Sequence, residues 1–324
     1  MIDEPLNLYK KGVNLGGWFS HLLPNTQINS HLSNFIKKKD LEDLAKAGFD
    51  HVRLPIDWQI LSESTLPMLE KAVSLISSHN LKIQLNLHYS PGLEHQGPQI
   101  IESKLFHSES IQDQFFEIWK NLLSRLENIP GLAYEPINEP WCEKNQTFNQ
   151  FQHHIVKTFR NFTKSPLILS SNHFASVHSF SSLEPVSDQN VFYAFHFYSP
   201  LSFTHQKANW IHGVDVSETV DYPGQVQKPI QNPIGKKELG NWDMTRLESE
   251  LKSALDFRNK YQVNIICNEF GVYEKAPLQS RVNWLKDTLS IFKKHHIPYT
   301  YWNYKECGFS YIESKQIQAL FTEM

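Results

Sequence analysis

Eight short apolar runs, most followed by a stretch of helical periodicity, recur along almost the whole chain, and this alternation constrains the fold more than any other feature. The runs cover residues 13–18, 51–55, 81–89, 132–137, 167–170, 191–198, 263–269 and 299–303. Helical spacing is predicted over 35–48, 67–78, 108–126, 148–162, 245–260 and 278–295, with a short final helix around 314–322. A helix between successive strands makes them parallel, and eight is the number that closes an α/β (β/α)8 TIM barrel. No linker or shift in composition divides residues 1–324, so a single domain is expected, with one long loop at about 199–241 after the sixth strand. An open doubly wound sheet would want a glycine-rich phosphate turn after its first strand, and the spacing of Gly12, Gly16 and Gly17 does not supply one.

In such a barrel, side chains at the C-terminal strand ends share one mouth. Polar and aromatic residues fall there repeatedly. Strand two ends near Arg53, strand three at His88 and strand four at Asn138-Glu139; strand six ends at His196 and Tyr198, strand seven at Glu269 and strand eight at Trp302. Strand parity sharpens the picture, because alternate side chains point to opposite faces. Ile83, Leu85 and Leu87 should face the helices, leaving Gln84, Asn86 and His88 to point inward. Val191, Tyr193, Phe195 and Phe197 should likewise face outward, with His196 and Tyr198 inward above Ala194. Glu269 would share its face with Cys267 and Ile265. Asn138 and Glu139 are adjacent and cannot both point inward from a regular strand, so an irregularity near Pro136 is expected to let both reach the cleft.

Two carboxylates across one barrel mouth suit glycoside hydrolysis, which needs an acid for the leaving oxygen and a carboxylate on the other side of the anomeric carbon. Glu139 and Glu269 sit on strands four and seven. Arg53 and the Tyr198 hydroxyl are placed to keep Glu269 ionised, whereas Glu139, among indole and imidazole rings, is the better placed to hold a proton. Asn138 can donate to a sugar 2-hydroxyl. Aromatic residues make up 13% of the chain, enough to furnish flat apolar platforms; Trp18, Trp58, Tyr89, Trp141, Trp210 and Trp302, all near strand ends, are the candidates to stack on sugar rings.

The ordered set Gly12-Val13-Asn14-Leu15-Gly16-Gly17-Trp18, Val52-Arg53-Leu54-Pro55, Leu85-Asn86-Leu87-His88, Ile137-Asn138-Glu139-Pro140, His196-Phe197-Tyr198, Asn268-Glu269-Phe270-Gly271 and Tyr301-Trp302 resembles glycoside hydrolase family 5, the cellulase-like retaining hydrolases of clan A. The resemblance implies that Glu139 is the acid/base and Glu269 the nucleophile, supported by Arg53, His88, Asn138, His196 and Tyr198, with Trp302 and other aromatics binding substrate. The run from Phe203-Thr204-His205-Gln206 to Trp210 also looks like one found in some bacterial members. An endo-β-1,4-glucanase activity is the expectation. A β-mannanase, an exo-β-1,3-glucanase and a glycolipid-directed glycosidase are the alternatives within the family, and a non-catalytic carbohydrate-binding barrel is the alternative class.

The implied partner is a β-linked oligosaccharide or polysaccharide, with no cofactor and no metal. A net charge of -3 gives no basic footprint for nucleic acid. No apolar run approaches the roughly 18 residues that span a bilayer, and a monomer is expected. The 16 histidines raise a metal-dependent hydrolase as a rival, but His153-His154 and His295-His296 are neighbours on predicted helices, pointing about 100° apart, and make poor chelates. Cys142, Cys267 and Cys307 do not read as a disulfide framework. Met1 to Pro5 has no charged and then apolar leader, which leaves a cytoplasmic protein, a non-standard export route or a leader already removed as the expectations for location.

Overall fold

The computed structural model of the chain describes residues 9–93, 102–127, 129–230 and 238–322; the opening residues behind the leader reading, and 231–237 of the long segment, lie outside them. Among the described residues ten strands occur in chain order: β1 Lys11–Asn14, β2 His51–Asp57, β3 Lys82–Tyr89, β4 Leu132–Glu135, β5 Leu167–Ser170, β6 Val191–Phe197, β7 Gly224–Val226, β8 Gly240–Trp242, β9 Asn264–Phe270 and β10 Tyr299–Tyr301. Eight of them close a parallel barrel in the order β1-β10-β9-β6-β5-β4-β3-β2, while β7 and β8 pair apart as an antiparallel ribbon. The helices are α1 Ile28–Asn34, α2 Lys38–Lys46, α3 Leu66–Ser77, α4 Glu109–Leu126, α5 Asn145–Phe159, α6 Asn172–Ala175, α7 Leu201–Thr204, α8 Met244–Glu250, α9 Lys252–Tyr261, α10 Leu278–Lys294 and α11 Lys315–Thr322.

Alternation along the strands builds two cores. Ile83, Leu85 and Leu87 of β3 join Val191, Tyr193, Phe195 and Phe197 of β6 in the large outer cluster beneath the helices. That cluster takes the apolar stripe of α4 (Phe115, Trp119, Leu122 and Leu126), which recurs at helical spacing. The opposite faces of the strands supply Ala133, Ile168, Phe192, Ala194 and Ile266 of a small inner cluster, which Tyr9 joins from before β1. This apolar cluster shares the lower barrel with buried His51, Gln84 and Thr300, and the inward polar side chains nearer the strand ends build a site above it. Gly12 belongs to the barrel floor for a steric reason: a Cβ there would lie 2.1 Å from His51 Nε2, so only glycine admits the imidazole.

Several boundaries differ from the expected ones. The first strand ends at Asn14, and Leu15 to Trp18 form a turn at the mouth. The second strand runs on to Asp57, so Arg53 lies within the strand and not at its tip. The fourth ends at Glu135, just before Pro136. The predicted helix over 35–48 is the shorter α2, which starts where the Asp40 carboxylate accepts the Lys37 N–H at 2.7 Å, and an unforeseen α1 precedes it. A split at Leu251 divides 245–260 into α8 and α9. The stretch between β5 and β6 holds α6, where His173 and Phe174 adopt left-handed backbone, and a 3-10 turn over Val177–Ser182.

The long segment after β6 carries α7 and the β7–β8 ribbon. Glu238, buried at its far end, accepts from the backbone of Leu201, from Ser202 N at 2.8 Å and from Ser202 Oγ at 2.6 Å, and so pins the segment beside β6. Among the described residues no helix is long and apolar enough to cross a membrane.

Candidate active site

The strand ends assemble one polar network around Arg53. Its side chain is fully buried and all five guanidinium N–H groups find acceptors. Nε donates to Glu135 Oε2 at 2.6 Å, and Nη2 donates to Glu135 Oε1 at 2.9 Å and to Asn138 Oδ1 at 2.7 Å. Nη1 donates to Asn14 Oδ1 at 2.9 Å and to Glu269 Oε1 at 2.5 Å. Burial works against the charge, but the Glu135 and Glu269 carboxylates outweigh it and hold Arg53 protonated.

Glu269 accepts Arg53 at one oxygen and the Tyr198 hydroxyl, at 3.0 Å, at the other. Burial pushes its carboxyl up, opposed by His196 and then by Arg53. Burial and the neighbouring carboxylate keep the Tyr198 phenol well above its ordinary range, so it acts as a donor. Glu269 reaches the cleft by a route that parity did not foresee. Ile265 and Cys267 belong to the outer cluster and Ile266 to the inner one. The register with β6 then slips, from Phe195↔Cys267 to His196↔Glu269, and this extra residue turns Glu269 inward. The shared face expected for Glu269, Cys267 and Ile265 is therefore broken by a bulge.

Asn138 and Glu139 both reach the cleft because β4 has already ended. Glu139 takes left-handed backbone at φ 43°, uncommon for a non-glycine residue and a mark of local strain. The Asn138 oxygen is taken by Arg53, which leaves its NH2 as the donor. Between the two glutamates stands His196, whose Nδ1 lies 2.8 Å from Glu139 Oε1 and 3.5 Å from Glu269 Oε2. Burial lowers this imidazole, but Glu269 and then Glu139 more than compensate and raise it. One oxygen of each glutamate and a ring nitrogen of His196 all lie within 4.8 Å of one another.

The aromatic candidates separate. Trp302 lies almost parallel to His88, 5.7 Å between centroids and 10° between planes. A Cβ on Gly16 would come within 2.7 Å of its Cη2, so the turn after β1 must be glycine for this indole to seat. His88 Nδ1 also meets Asn86 Oδ1 at 3.1 Å. Tyr89 is half-buried, 5.6 Å from the His88 ring. Trp141, directly after Pro140, is half-buried against His173 and Phe174 at 4.7 and 5.0 Å. Trp210 is 52% exposed with Tyr273 edge-on at 4.8 Å. Trp18 is a correction: it is 2% exposed, donates Nε1 to Leu32 O at 2.8 Å and packs in the outer core, where no sugar ring reaches it.

The sequence reading gave no role to four residues at this mouth. Asn14 and Glu135 ligate Arg53. His21 lies 4.5 Å from His88 and 5.5 Å from Trp302. His205 stands edge-on to Tyr198 at 4.8 Å, and burial pushes its imidazole down to about 4, so it is neutral. Parity alone could have found Glu135, since it shares the inward face of β4 with Ala133.

A second group of ligating side chains, Glu102, His107 and Cys142, gathers beyond the site. There Glu102 Oε1 accepts from His107 Nε2 at 2.8 Å, Glu143 N at 2.9 Å and Cys142 Sγ at 3.4 Å. Hydrogen bonding accounts for this knot, which ties the chain after Glu139 to the start of the segment before α4. Cys142, Cys267 and Cys307 are free thiols.

At the end of β2, Asp57 is buried; its Oδ2 accepts the His21 N–H at 2.9 Å and its Oδ1 has no partner. Burial pushes this carboxyl up to about 7, and Glu238 likewise to about 7. A carboxyl raised on folding favours the folded state fully below its unfolded pKa and loses that contribution as pH climbs through the folded value. Asp57→Asn mimics the protonated form. In denaturant unfolding its stability relative to wild type should improve by roughly 2–3 kcal/mol between pH 5 and pH 8. A difference that stays constant across that range would show Asp57 ionised throughout.

Comparison with known proteins agrees with this geometry. A family model described as cellulase, glycosyl hydrolase family 5, matches residues 8–308. Endoglucanase C of Acetivibrio thermocellus is 33% identical over 321 residues, covering 93% of this chain and 92% of that protein. Cellodextrinase A of Ruminococcus flavefaciens is 28% identical, covering 92% of this chain and 84% of that one. Among solved structures, Thermotoga maritima Cel5A in complex with cellobiose superposes with a TM-score of 0.79 at 20% identity, covering 98% of this chain and 99% of that one. The (β/α)8 barrel, the family model and the one-third identity along nearly the whole length lead to one conclusion: this chain is a cellulase-like glycoside hydrolase and belongs to glycosyl hydrolase family 5.

Proposed function

We propose that the chain is a retaining endo-β-1,4-glucanase that works by double displacement, with Glu269 as nucleophile and Glu139 as acid/base. The observation that carries this reading is the closeness of the two carboxylates, which meet within 4.8 Å around His196. Retaining glycosidases hold their carboxyl groups about 5–5.5 Å apart, whereas inverting ones leave about 6.5–9.5 Å for a water. Glu269, oriented by Arg53 and Tyr198, attacks the anomeric carbon while Glu139 protonates the departing oxygen. Glu139 then takes a proton from the incoming water, and the glycosyl ester breaks with overall retention. The Asn138 NH2 donates to the 2-hydroxyl. Trp302 supplies a flat wall beside the anomeric centre, and Tyr89, Trp141 and Trp210 are the platforms further out.

The preference for β-1,4-glucan draws support from the endoglucanase and cellodextrinase relatives. The test is incubation with carboxymethylcellulose, cello-oligosaccharides, β-mannan, laminarin and a glucosylated lipid, with chromatography of products and NMR of the first-formed anomer. The reading expects internal cleavage of the β-1,4-glucans and a β-configured product. Cleavage confined to mannan, laminarin or lipid, or a first-formed α-anomer, would replace it. Binding without cleavage of any substrate would favour a carbohydrate-binding barrel.

A further inference from the structure

Glu135 is a buried carboxylate in the middle of the active-site network, and the chemistry just described gives it no task. It closes β4, opposite Asn86 of β3, with no exposed surface. Two of its three hydrogen bonds come from Arg53; the third is from Ser170 Oγ of β5, at 3.2 Å. The pairing is two-pronged: Glu135 takes the Nε/Nη2 edge, the side of a guanidinium that best fits a carboxylate. With that edge occupied, Glu269 receives one bond, from Nη1, and Asn138 receives the other Nη2 hydrogen.

We propose that Glu135 is a positioning residue for glycoside cleavage, acting through Arg53: it fixes the guanidinium plane and balances its charge, so that Arg53 orients Glu269 and Asn138 without clamping the nucleophile. The proposal rests on the assignment of Glu269 as nucleophile. Without the Glu135 charge, a buried cation would face a single carboxylate, and its favoured edge would be free to rotate onto Glu269. A nucleophile held through both oxygens by a cation is less able to attack, and the Asn138 amide would lose the bond that orients it.

The charge balance gives a readout that a purely structural ion pair would not move. Glu269 is faced by Arg53 from β2, by His196 and Tyr198 from β6 and the residue after it, by Glu139 and Glu135 from β4 and its following turn, and by Cys307 beyond β10, with Cys267 on its own strand. Of these, Glu135 and Glu139 oppose its ionisation, whereas Arg53 and His196 favour it. Removing the Glu135 charge therefore moves the acid limb of activity to lower pH.

The test compares Glu135→Gln, Glu135→Asp, Glu269→Gln and wild type on a soluble cello-oligosaccharide, with near-UV circular dichroism to establish folding. For Glu135→Gln the expected result is a kcat at least tenfold lower, a KM within threefold of wild type, and an acid limb of kcat/KM lower by about half a pH unit or more. Glu135→Asp should keep the limb in its wild-type position with an intermediate kcat. A folded Glu135→Gln with kcat within threefold of wild type, or with a lowered kcat and an unmoved limb, would overturn the proposal. If the Gln variant fails to fold, the Asp variant decides: lowered kcat with the wild-type limb supports the role, and wild-type kcat refutes it. Activity surviving in Glu269→Gln would defeat the nucleophile assignment instead, whatever the Glu135 variants do.

Discussion

Replacing Glu269 by glutamine should lower kcat on cello-oligosaccharides by about 10⁴-fold or more, equivalent to about 5 kcal/mol of transition-state stabilisation. The change conserves shape, so the Arg53 and Tyr198 contacts can persist, and the fold should survive because the outer and inner cores are untouched. What disappears is the oxygen nucleophile, and no neighbour can replace it. Glu139 is bound to His196 on the leaving-group side, and Glu135 is enclosed by Arg53 and Ser170. Binding should be nearly unchanged, so the variant should retain cello-oligosaccharides at close to the wild-type dissociation constant. Steady-state kinetics with isothermal calorimetry separates the two quantities. A loss of less than tenfold in a pure, folded sample would mean that another group attacks the anomeric carbon.

The second large effect concerns Glu139, and its signature is dependence on the leaving group. General acid catalysis contributes roughly 10²–10⁴-fold when the departing oxygen is a poor leaving group. Glu139→Ala should lose about that factor on cello-oligosaccharides. On an aryl cellobioside with a strongly acidic phenol the first step needs little protonation, so glycosyl-enzyme should form and then persist. Added azide should attack that intermediate without base assistance and give a β-glycosyl azide. Burst kinetics with the aryl substrate and product analysis with azide check both points. An equal loss on both substrates, with no azide product, would remove Glu139 from the acid/base role.

The barrel was legible because it depended on a strong period, and the two carboxylates because both fall at strand ends. The parity of β3 and β6 separated the residues facing the helices from those facing inward without any tertiary information, and the strand ends then named the mouth. The residues that sequence reasoning missed were hidden by features that carry no period. The bulge between β6 and β9 decides where Glu269 points, and one extra residue in a strand leaves no mark in an apolar run. Glu135 is the exception: parity with Ala133 places it on the inward face, but it reads as part of an apolar segment that ends sooner than expected. Trp18 lies at a strand end like Trp302, but the turn after Asn14 directs its indole to Leu32 and into the core, and nearness to the mouth does not fix direction. His21 and His205 come from loops whose paths are set by tertiary contacts. The start of α2 was missed because its cap, Asp40 on Lys37, uses a polar residue that also suits a helix interior.

The most direct test of the central claim is covalent trapping. A 2-deoxy-2-fluoro-β-cellobioside with an activated leaving group destabilises the oxocarbenium-like transition states of both steps, and its good leaving group still lets the first step proceed. The wild-type enzyme should gain the mass of one fluorinated glycosyl unit, and peptide mapping should place it on the fragment carrying Asn268-Glu269-Phe270. Label on any other carboxylate, or a glycan-cleaving enzyme that takes no label while producing the inverted anomer, would contradict a double displacement through Glu269.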